Sequence, residues 1–194
     1  MARWPAPGRC KSRLASQLGI ERAAAVQARL CGHAVGTARQ ARLGCPFELV
    51  LAVSGVAARG ACRWGTRLGA ARVVVQGEGG LGLRLQRQVV RALAEGAPAV
   101  VLIGSDLPEL VADDLIEAFR RLEQVPLVLG PASDGGYWLI GLGRPCPSLF
   151  SGIPWGGDQV LAQTVVAAKQ QGLAVSLLSE RADLDRPEDL RRWR

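Results

Sequence analysis

Residues 100–110 read VVLIGSDLPEL. Val100 to Ile103 form an unbroken apolar run, which predicts a strand buried on both faces. The run stops at Gly104-Ser105, and the first charge beyond it is Asp106. In open α/β sheets, ligands collect beyond the carboxyl ends of the strands. Asp106 is therefore either a turn residue that ends the strand or a ligand for a cation or a ribose, held out on a rigid support.

The surroundings decide which kind of sheet this is. Residues 20–43 carry apolar positions at helical spacing, FELVLAVS (47–54) reads as a strand, and 57–68 reads as a helix. ARVVVQ (71–76) is a strand, and GEGGLG follows it and opens a helix through Glu95. PAVVLIG (98–104) is the next strand, and Pro108 opens a helix through Glu123, because proline is tolerated in a first turn. VPLVLG (125–130) and YWLIGL (137–142) flank a Gly-rich turn, 157–171 is helical, and LAVSLLS (173–179) is a strand. DRPEDLRRW closes the chain as a helix, with Asp185 and Glu188 as its capping box. Strands alternating with helices of this length predict a single α/β domain over residues 1–194 with a mostly parallel sheet.

Composition narrows the class. The chain has 194 residues, 48% of them hydrophobic, enough for a full core. No apolar run approaches the roughly 18 residues needed to span a bilayer, and MARWPAPGRCKSR has no secretory apolar region. Cys10, Cys31, Cys45, Cys62 and Cys146 are odd in number and scattered, which points to reduced thiols in a cytoplasmic protein. The net charge is +7. The halves differ: residues 1–97 hold 15 Lys+Arg against 4 Asp+Glu, and residues 98–194 hold 9 against 13. A basic half and an acidic half suit an anionic ligand bridged by a metal. No basic–aromatic interleaving or nucleic-acid motif is present, so nucleic acid is not an expected partner. His33 is the only histidine and reads as a packing residue, which leaves general acid–base work to carboxylates.

Four other segments carry chemistry. PAPGRCKSRLA (5–15) is a loop in which Gly8 lets the backbone approach and Arg9, Lys11 and Arg13 neutralise phosphate oxygens; it could equally be a basic terminus. GEGGLG places Gly77, Gly79 and Gly82 in a G-x-G-x-x-G pattern after a strand, with Asp106 as the candidate ribose acid; this is the dinucleotide-oxidoreductase alternative, against a plain turn before a helix. GPASDGGYWLIG (130–141) puts Asp134 beside Gly135 and Gly136 in a turn that a hairpin alone explains. ADLDRPEDL (182–190) puts Asp183 and Asp185 on one face of an extended segment, an arrangement suited to an oxygen-preferring divalent cation.

In order along the chain, PAPGRCKSRLASQLG, IGSDLP, GPASDGGYWLIGL and DLDRPEDL resemble one family. It was long catalogued as a domain of unknown function and is now described as a GT-A-fold glycosyltransferase, found with radical-SAM and selenium-related proteins and associated with arsenosugar biosynthesis. The family is similar in fold to the nucleotidyltransferases that build molybdopterin-guanine dinucleotide and guanylylate phospholactate. The resemblance implies a three-layer α/β sandwich. It implies that Gly8, Arg9, Lys11, Arg13 and Gln76 bind the nucleotide and its phosphates. Asp106, with Asp185 and Asp183, would hold Mg²⁺ or Mn²⁺. Asp106 and Asp134 would be catalytic, and Ser105, Gly135, Gly136, Tyr137 and Trp155 would meet the sugar or acceptor. The implied reaction is sugar transfer from a nucleotide sugar to a small molecule; nucleotidyl transfer on the same fold is the nearest alternative. A non-catalytic ligand-binding remnant is a further alternative, since the chain departs from the family's pattern in three places. An apolar strand usually precedes the Pro-x-Pro-Gly loop, whereas here only MARWPAP precedes Gly8. The first strand is thus expected to be missing and Met1 to be an internal methionine. An in-frame stop just upstream with no apolar codons would refute that expectation. Gly80 stands where an acid or amide is common, and Gly156 and Gly157 stand where small hydroxyl residues are usual. Oligomeric state is not legible in the sequence.

Overall fold

The computed structural model describes residues 1–192 of the chain. In chain order its regular elements are β1 (Ala2–Arg3), α1 (Ser12–Leu18), α2 (Ile20–Ala41), β2 (Val50–Ser54), α3 (Ala58–Leu68), β3 (Arg72–Val75), α4 (Leu81–Ala94), β4 (Val100–Ile103), α5 (Ala112–Leu122), β5 (Leu127–Pro131), β6 (Tyr137–Leu142), α6 (Val160–Gln170) and β7 (Val175–Leu177). Short 3-10 turns cover Pro147–Phe150 and Pro187–Arg192. The elements divide between two compact units. One takes Met1–Val75, Gly104–Ala112 and the chain from Asp183 onward; the other takes Gln76–Ile103 and Asp113–Ala182.

The first unit holds a parallel sheet in the order β1-β2-β3. Strand β2 is buried at its centre, where Leu51 and Val53 pack with Cys31 and Val35 of α2 and Ala61 of α3. Gly65 of α3 is needed at this contact: a Cβ there would lie 2.4 Å from Val73. A second apolar cluster joins Leu14 of α1 to Ala23 and Leu30 of α2 and to Leu184, all completely buried. The first strand is thus shortened rather than missing. Ala2 and Arg3 pair with Val53 and Ser54, and the Trp4 amide continues the ladder by donating to the Ser54 carbonyl at 2.8 Å. Even two residues pair here, because a strand beside buried β2 satisfies backbone groups that burial would otherwise leave bare.

The second unit holds a mixed sheet in the order β4-β6-β5-β7. β5 and β6 form a hairpin through residues 132–136, which makes their pairing antiparallel, as is that of β4 with β6. β7 returns parallel to β5 after α6. Three of the five strand pairings are therefore parallel, but they lie in two sheets rather than one. Residues 100–103 are half-buried rather than fully buried, because β4 is the edge strand of its sheet. β5 and β6 hold the fully buried positions instead.

Three local expectations also change. Pro108 lies in a turn, and the helix expected from it begins at Ala112. Leu107 and Leu110 are buried on either side of the turn, and Thr37 donates to the Leu110 carbonyl, so this stretch is held by side chains pointing inward rather than by helical hydrogen bonds. The helix opens instead with Asp113 and Asp114 in its first turn, where acids complement the helix dipole. The basic N-terminal loop leads into a helix, α1, whose apolar Leu14 and Leu18 lie at i, i+4. Pro187–Arg192 is a 3-10 turn rather than an α-helix, and Trp193, also expected in that helix, lies outside the described residues. The turn's cap is Asp189, whose carboxylate accepts from the Asp185 and Arg186 amides, and not the expected Asp185–Glu188 box.

Candidate functional site

Within the first unit, three distant stretches meet at one nitrogen. Lys11 Nζ lies 3.0 Å from Asp106 Oδ1 and 2.8 Å from Asp185 Oδ1, and it donates to the Leu184 carbonyl at 2.6 Å. Its side chain is 3% exposed, whereas those of Asp106 and Asp185 are 40% and 44% exposed. Arg13, on the solvent side, approaches Asp185 Oδ2 at 3.5 Å. Burial alone would depress the Lys11 ammonium, but Asp106 and Asp185 more than reverse this and hold it above the ordinary lysine range.

The backbone explains why these groups meet. Lys11 has φ 49° and ψ 50°, and no other non-glycine residue described has positive φ. A left-handed residue costs roughly 1–2 kcal/mol when it is not glycine, and such strain persists where the surroundings over-determine it. Here the ion pairs and the start of α1 fix it. The C-terminal partner is pinned by Leu184, which is completely buried with Leu14, Ala23 and Leu30. The Leu184 amide donates to the Asp106 carbonyl at 2.8 Å, while its own carbonyl accepts from Lys11. Asp185 is thus carried to the site by the apolar residue before it.

Beneath Asp106 lies a buried polar pair that no sequence motif announced. Gln27 Nε2 donates to Ser105 Oγ at 3.3 Å and contacts Cys31 Sγ at 3.2 Å. Ser105 is expected to meet substrate, but it is buried and its hydroxyl faces Gln27. Mid-helix Gln27 looks like any surface glutamine in the sequence, and only its place among Ala23, Ala24 and Leu30 hints that it faces inward. Gly8 and Arg9 lie on an exposed turn, with the Arg9 amide donating to the Ala6 carbonyl. Asp183 is half-buried one residue before Leu184.

The remaining expected residues belong to the second unit. Asp134 Oδ1 accepts from the Gly136 amide at 2.9 Å, which closes an Asx turn within the hairpin. Gly135 has φ 86°, and a Cβ there would lie 1.9 Å from the Asp158 carbonyl oxygen, so only glycine fits. Tyr137 packs edge-on against Trp155, with ring centroids 6.1 Å apart, and burial pushes its phenol well above the ordinary range. Trp155 in turn lies over Gly82, where a Cβ would come 2.3 Å from its Nε1. Gln76 is buried, and its carbonyl accepts from Arg87.

The GEGGLG loop is therefore explained by packing. Gly77 and Gly79 take positive φ, Gly82 admits Trp155, and Arg84 and Arg87 of α4 bond the loop's carbonyls. β3 pairs with β2 and β4 with β6, in different sheets. Among the three departures from the family's pattern, Gly156 has φ 90° and would strain a hydroxyl residue, whereas a Cβ at Gly80 would meet nothing.

Mg²⁺ and Mn²⁺ take oxygen ligands, and Mg²⁺ commonly uses one or two carboxylates with the rest from substrate phosphates and water. Two half-exposed carboxylates converging on one cationic point fit that donor set. Among the described residues, no group of three or more His, Cys, Asp or Glu is placed to form a complete protein cage.

Residues 37–157 match the profile of a family described as "Uncharacterized protein conserved in bacteria (DUF2064)". The chain is 30% identical to a Desulfovibrio desulfuricans G20 protein provisionally described as a nucleotide-diphospho-sugar transferase; the two superpose with a TM-score of 0.84 over 95% of this chain and 80% of that one. It is 40% identical over 104 residues to the 3-phospho-D-glycerate guanylyltransferase of Phenylobacterium zucineum (strain HLK1). That match takes in 50% of this chain but 46% of the relative, so the chain spans about half the length of the curated relative it matches. A manganese complex of Rv0371C from Mycobacterium tuberculosis H37Rv shares the fold, with a TM-score of 0.53 and 20% identity over 97% of this chain and 94% of that one. The architecture is thus the α/β fold of nucleotide-diphospho-sugar transferase-like proteins.

Proposed function

Because the chain belongs to the DUF2064 family, we propose that it is a divalent-metal-dependent transferase, acting as one domain over residues 1–194, that moves a sugar from a nucleotide-sugar donor to a small acceptor. The observation that carries this is the convergence of Asp106 and Asp185 on a single cation position beside the basic loop. The extensive match to a protein provisionally described as a nucleotide-diphospho-sugar transferase supports the donor class.

Asp106 and Asp185 would hold Mg²⁺ or Mn²⁺, with Asp183 as a further candidate ligand. A bound divalent ion supplies Lewis-acid stabilisation of the negative charge that builds on a leaving diphosphate. Arg9, Lys11 and Arg13 neutralise the same phosphates as fixed and mobile cations. Gln27 donates to the hydroxyl of Ser105, the residue before Asp106. In the second unit, Asp134 keeps its hairpin closed, and Gly135, Gly136, Tyr137 and Trp155 are the proposed sugar or acceptor contacts. The Tyr137 phenol is protonated at neutral pH, as a tyrosine ordinarily is, and burial raises it further, so it would serve as a hydrogen-bond donor rather than a base.

A second reading is nucleotidyl transfer, favoured by the 40% identity to a guanylyltransferase. The two reactions release different products. Nucleotide sugars and nucleoside triphosphates, each with Mg²⁺ or Mn²⁺, are first screened for thermal stabilisation, since bound ligand raises apparent stability. The stabilising donor is then incubated with acceptor panels that include phosphorylated hydroxy acids and arsenic-bearing candidates. Nucleoside diphosphate release supports sugar transfer, and pyrophosphate release supports nucleotidyl transfer. Stabilisation by neither donor class, with either metal, would overturn both.

A further inference from the structure

We propose that Lys11 is a built-in counter-ion for the metal site: its ammonium stands in the position a divalent ion must take, and metal entry expels it. The inference rests on the assignment of Asp106 and Asp185 as metal ligands. It adds that the site is closed to metal by the chain's own cation until exchange occurs.

The geometry supports the exchange. Lys11 Nζ shares Asp106 Oδ1 and Asp185 Oδ1 at 3.0 and 2.8 Å. An ion held by these same oxygens would need to lie about 2.0–2.1 Å from each. The ion and the ammonium would then occupy nearly the same volume, two like charges in contact. Charge counting agrees. Lys11 and Arg13 already balance the two carboxylates, so a divalent ion added without loss of Lys11 leaves an excess of two positive charges. Lys11 is also built to leave. It reaches the site on a flexible four-carbon stem, its backbone sits in a strained left-handed conformation, and its third contact is a neutral carbonyl. Once expelled, it faces the solvent side of the site, where an incoming anion is its natural replacement partner. Metal and anionic donor therefore assist each other: each is the reason the other's partner becomes free, and linkage makes that assistance reciprocal.

The chain contains only two lysines, Lys11 and Lys169, so the exchange can be watched in the intact wild-type protein. The lysine side-chain ¹⁵N resonances are followed while Mg²⁺ is added with no nucleotide present. The expected result is a shifted or broadened Lys11 ammonium signal and an unchanged Lys169. An undisturbed Lys11 signal at Mg²⁺ concentrations that saturate the site overturns the exchange while leaving the metal assignment intact. A second measurement counts free Mn²⁺ by electron paramagnetic resonance for wild type, Lys11→Met and Arg13→Met, with folding of each checked by circular dichroism. Lys11→Met is expected to bind Mn²⁺ alone about tenfold more tightly, equivalent to about 1.4 kcal/mol. Arg13→Met loses the same charge without vacating the shared position and is expected to stay within about twofold of wild type. Equal tightening in both variants, or none in Lys11→Met, overturns the exchange. Absence of Mn²⁺ and Mg²⁺ binding in every form would instead sink the metal assignment on which it rests.

Discussion

Replacing Asp106 separates a functional carboxylate from a structural one. Lys11 Nζ has three partners, Asp106, Asp185 and the Leu184 carbonyl, so Asp106→Ala removes one and leaves two. An exposed ion pair contributes about 0–1 kcal/mol, and breaking a fully buried one costs about 3–5 kcal/mol. Asp106 is 40% exposed, so water screens it and refills part of the loss, which brings the expected cost down to about 1–2 kcal/mol. For a chain of this size that is a fall of about 2–8 °C in melting temperature. Asp106→Asn keeps an acceptor toward Lys11 and is expected to lose less, about 0.5–1 kcal/mol. Turnover should behave differently. Both variants lose the anionic ligand, and loss of one group that stabilises transition-state charge costs about 10²–10³ in kcat. The assay pairs thermal unfolding with product release from the stabilising donor, at a temperature where all forms are folded. Turnover within twofold of wild type in Asp106→Ala would refute the metal role. So would a stability loss above about 4 kcal/mol with activity falling only in proportion to the unfolded fraction.

Four further outcomes are expected. Gly135→Ala adds a Cβ 1.9 Å from the Asp158 oxygen at φ 86° and endangers the Leu161 amide bond to the Gly135 carbonyl; urea unfolding should show a loss of about 3–5 kcal/mol, against nearly none for Gly143→Ala, which meets nothing. Leu184→Ala empties a fully buried position and is expected to cost about 2–5 kcal/mol by the same measurement, with weakened Mn²⁺ binding because Asp185 loses its anchor. Gln27→Leu leaves Ser105 without that buried partner and should cost about 1–3 kcal/mol, with a raised KM for the metal. Arg120 and Arg121 bond Glu117 and hold its carboxyl near about 2, so an NMR titration should find it ionised at pH 3; the small stabilisation it gives is present above the unfolded value and fades as pH falls toward 2, and removing both arginines should restore an ordinary titration.

Much of this was legible in the sequence, because alternating apolar strands and amphipathic helices are strong local signals. Lys11, Asp106 and Asp185, singled out in three separate segments, do come together. What escaped depended on contacts between distant residues. Gln27 gives no local sign that it lies beneath Asp106. Lys11 is a basic loop residue in the sequence, and only the structure shows it almost wholly buried between two acids. The division into two sheets depends on which distant strands pair, which strand periodicity does not encode. The GEGGLG pattern misled because glycine spacing records close approach and positive φ without saying what approaches: here it is Trp155 and two arginines rather than a pyrophosphate.

The Leu184 bridge has a consequence for how the protein is made. Lys11 contacts Leu184 and Asp185 across 173 and 174 positions of sequence. During synthesis, Lys11 and Asp106 leave the ribosome well before their third partner exists. A nascent chain halted at Ala182 holds the first two but has neither the Leu184 plug nor the second carboxylate. The charged cluster therefore cannot close until Leu184 and Asp185 have been made. A chain that ends before Leu184 lacks two of the three partners of Lys11.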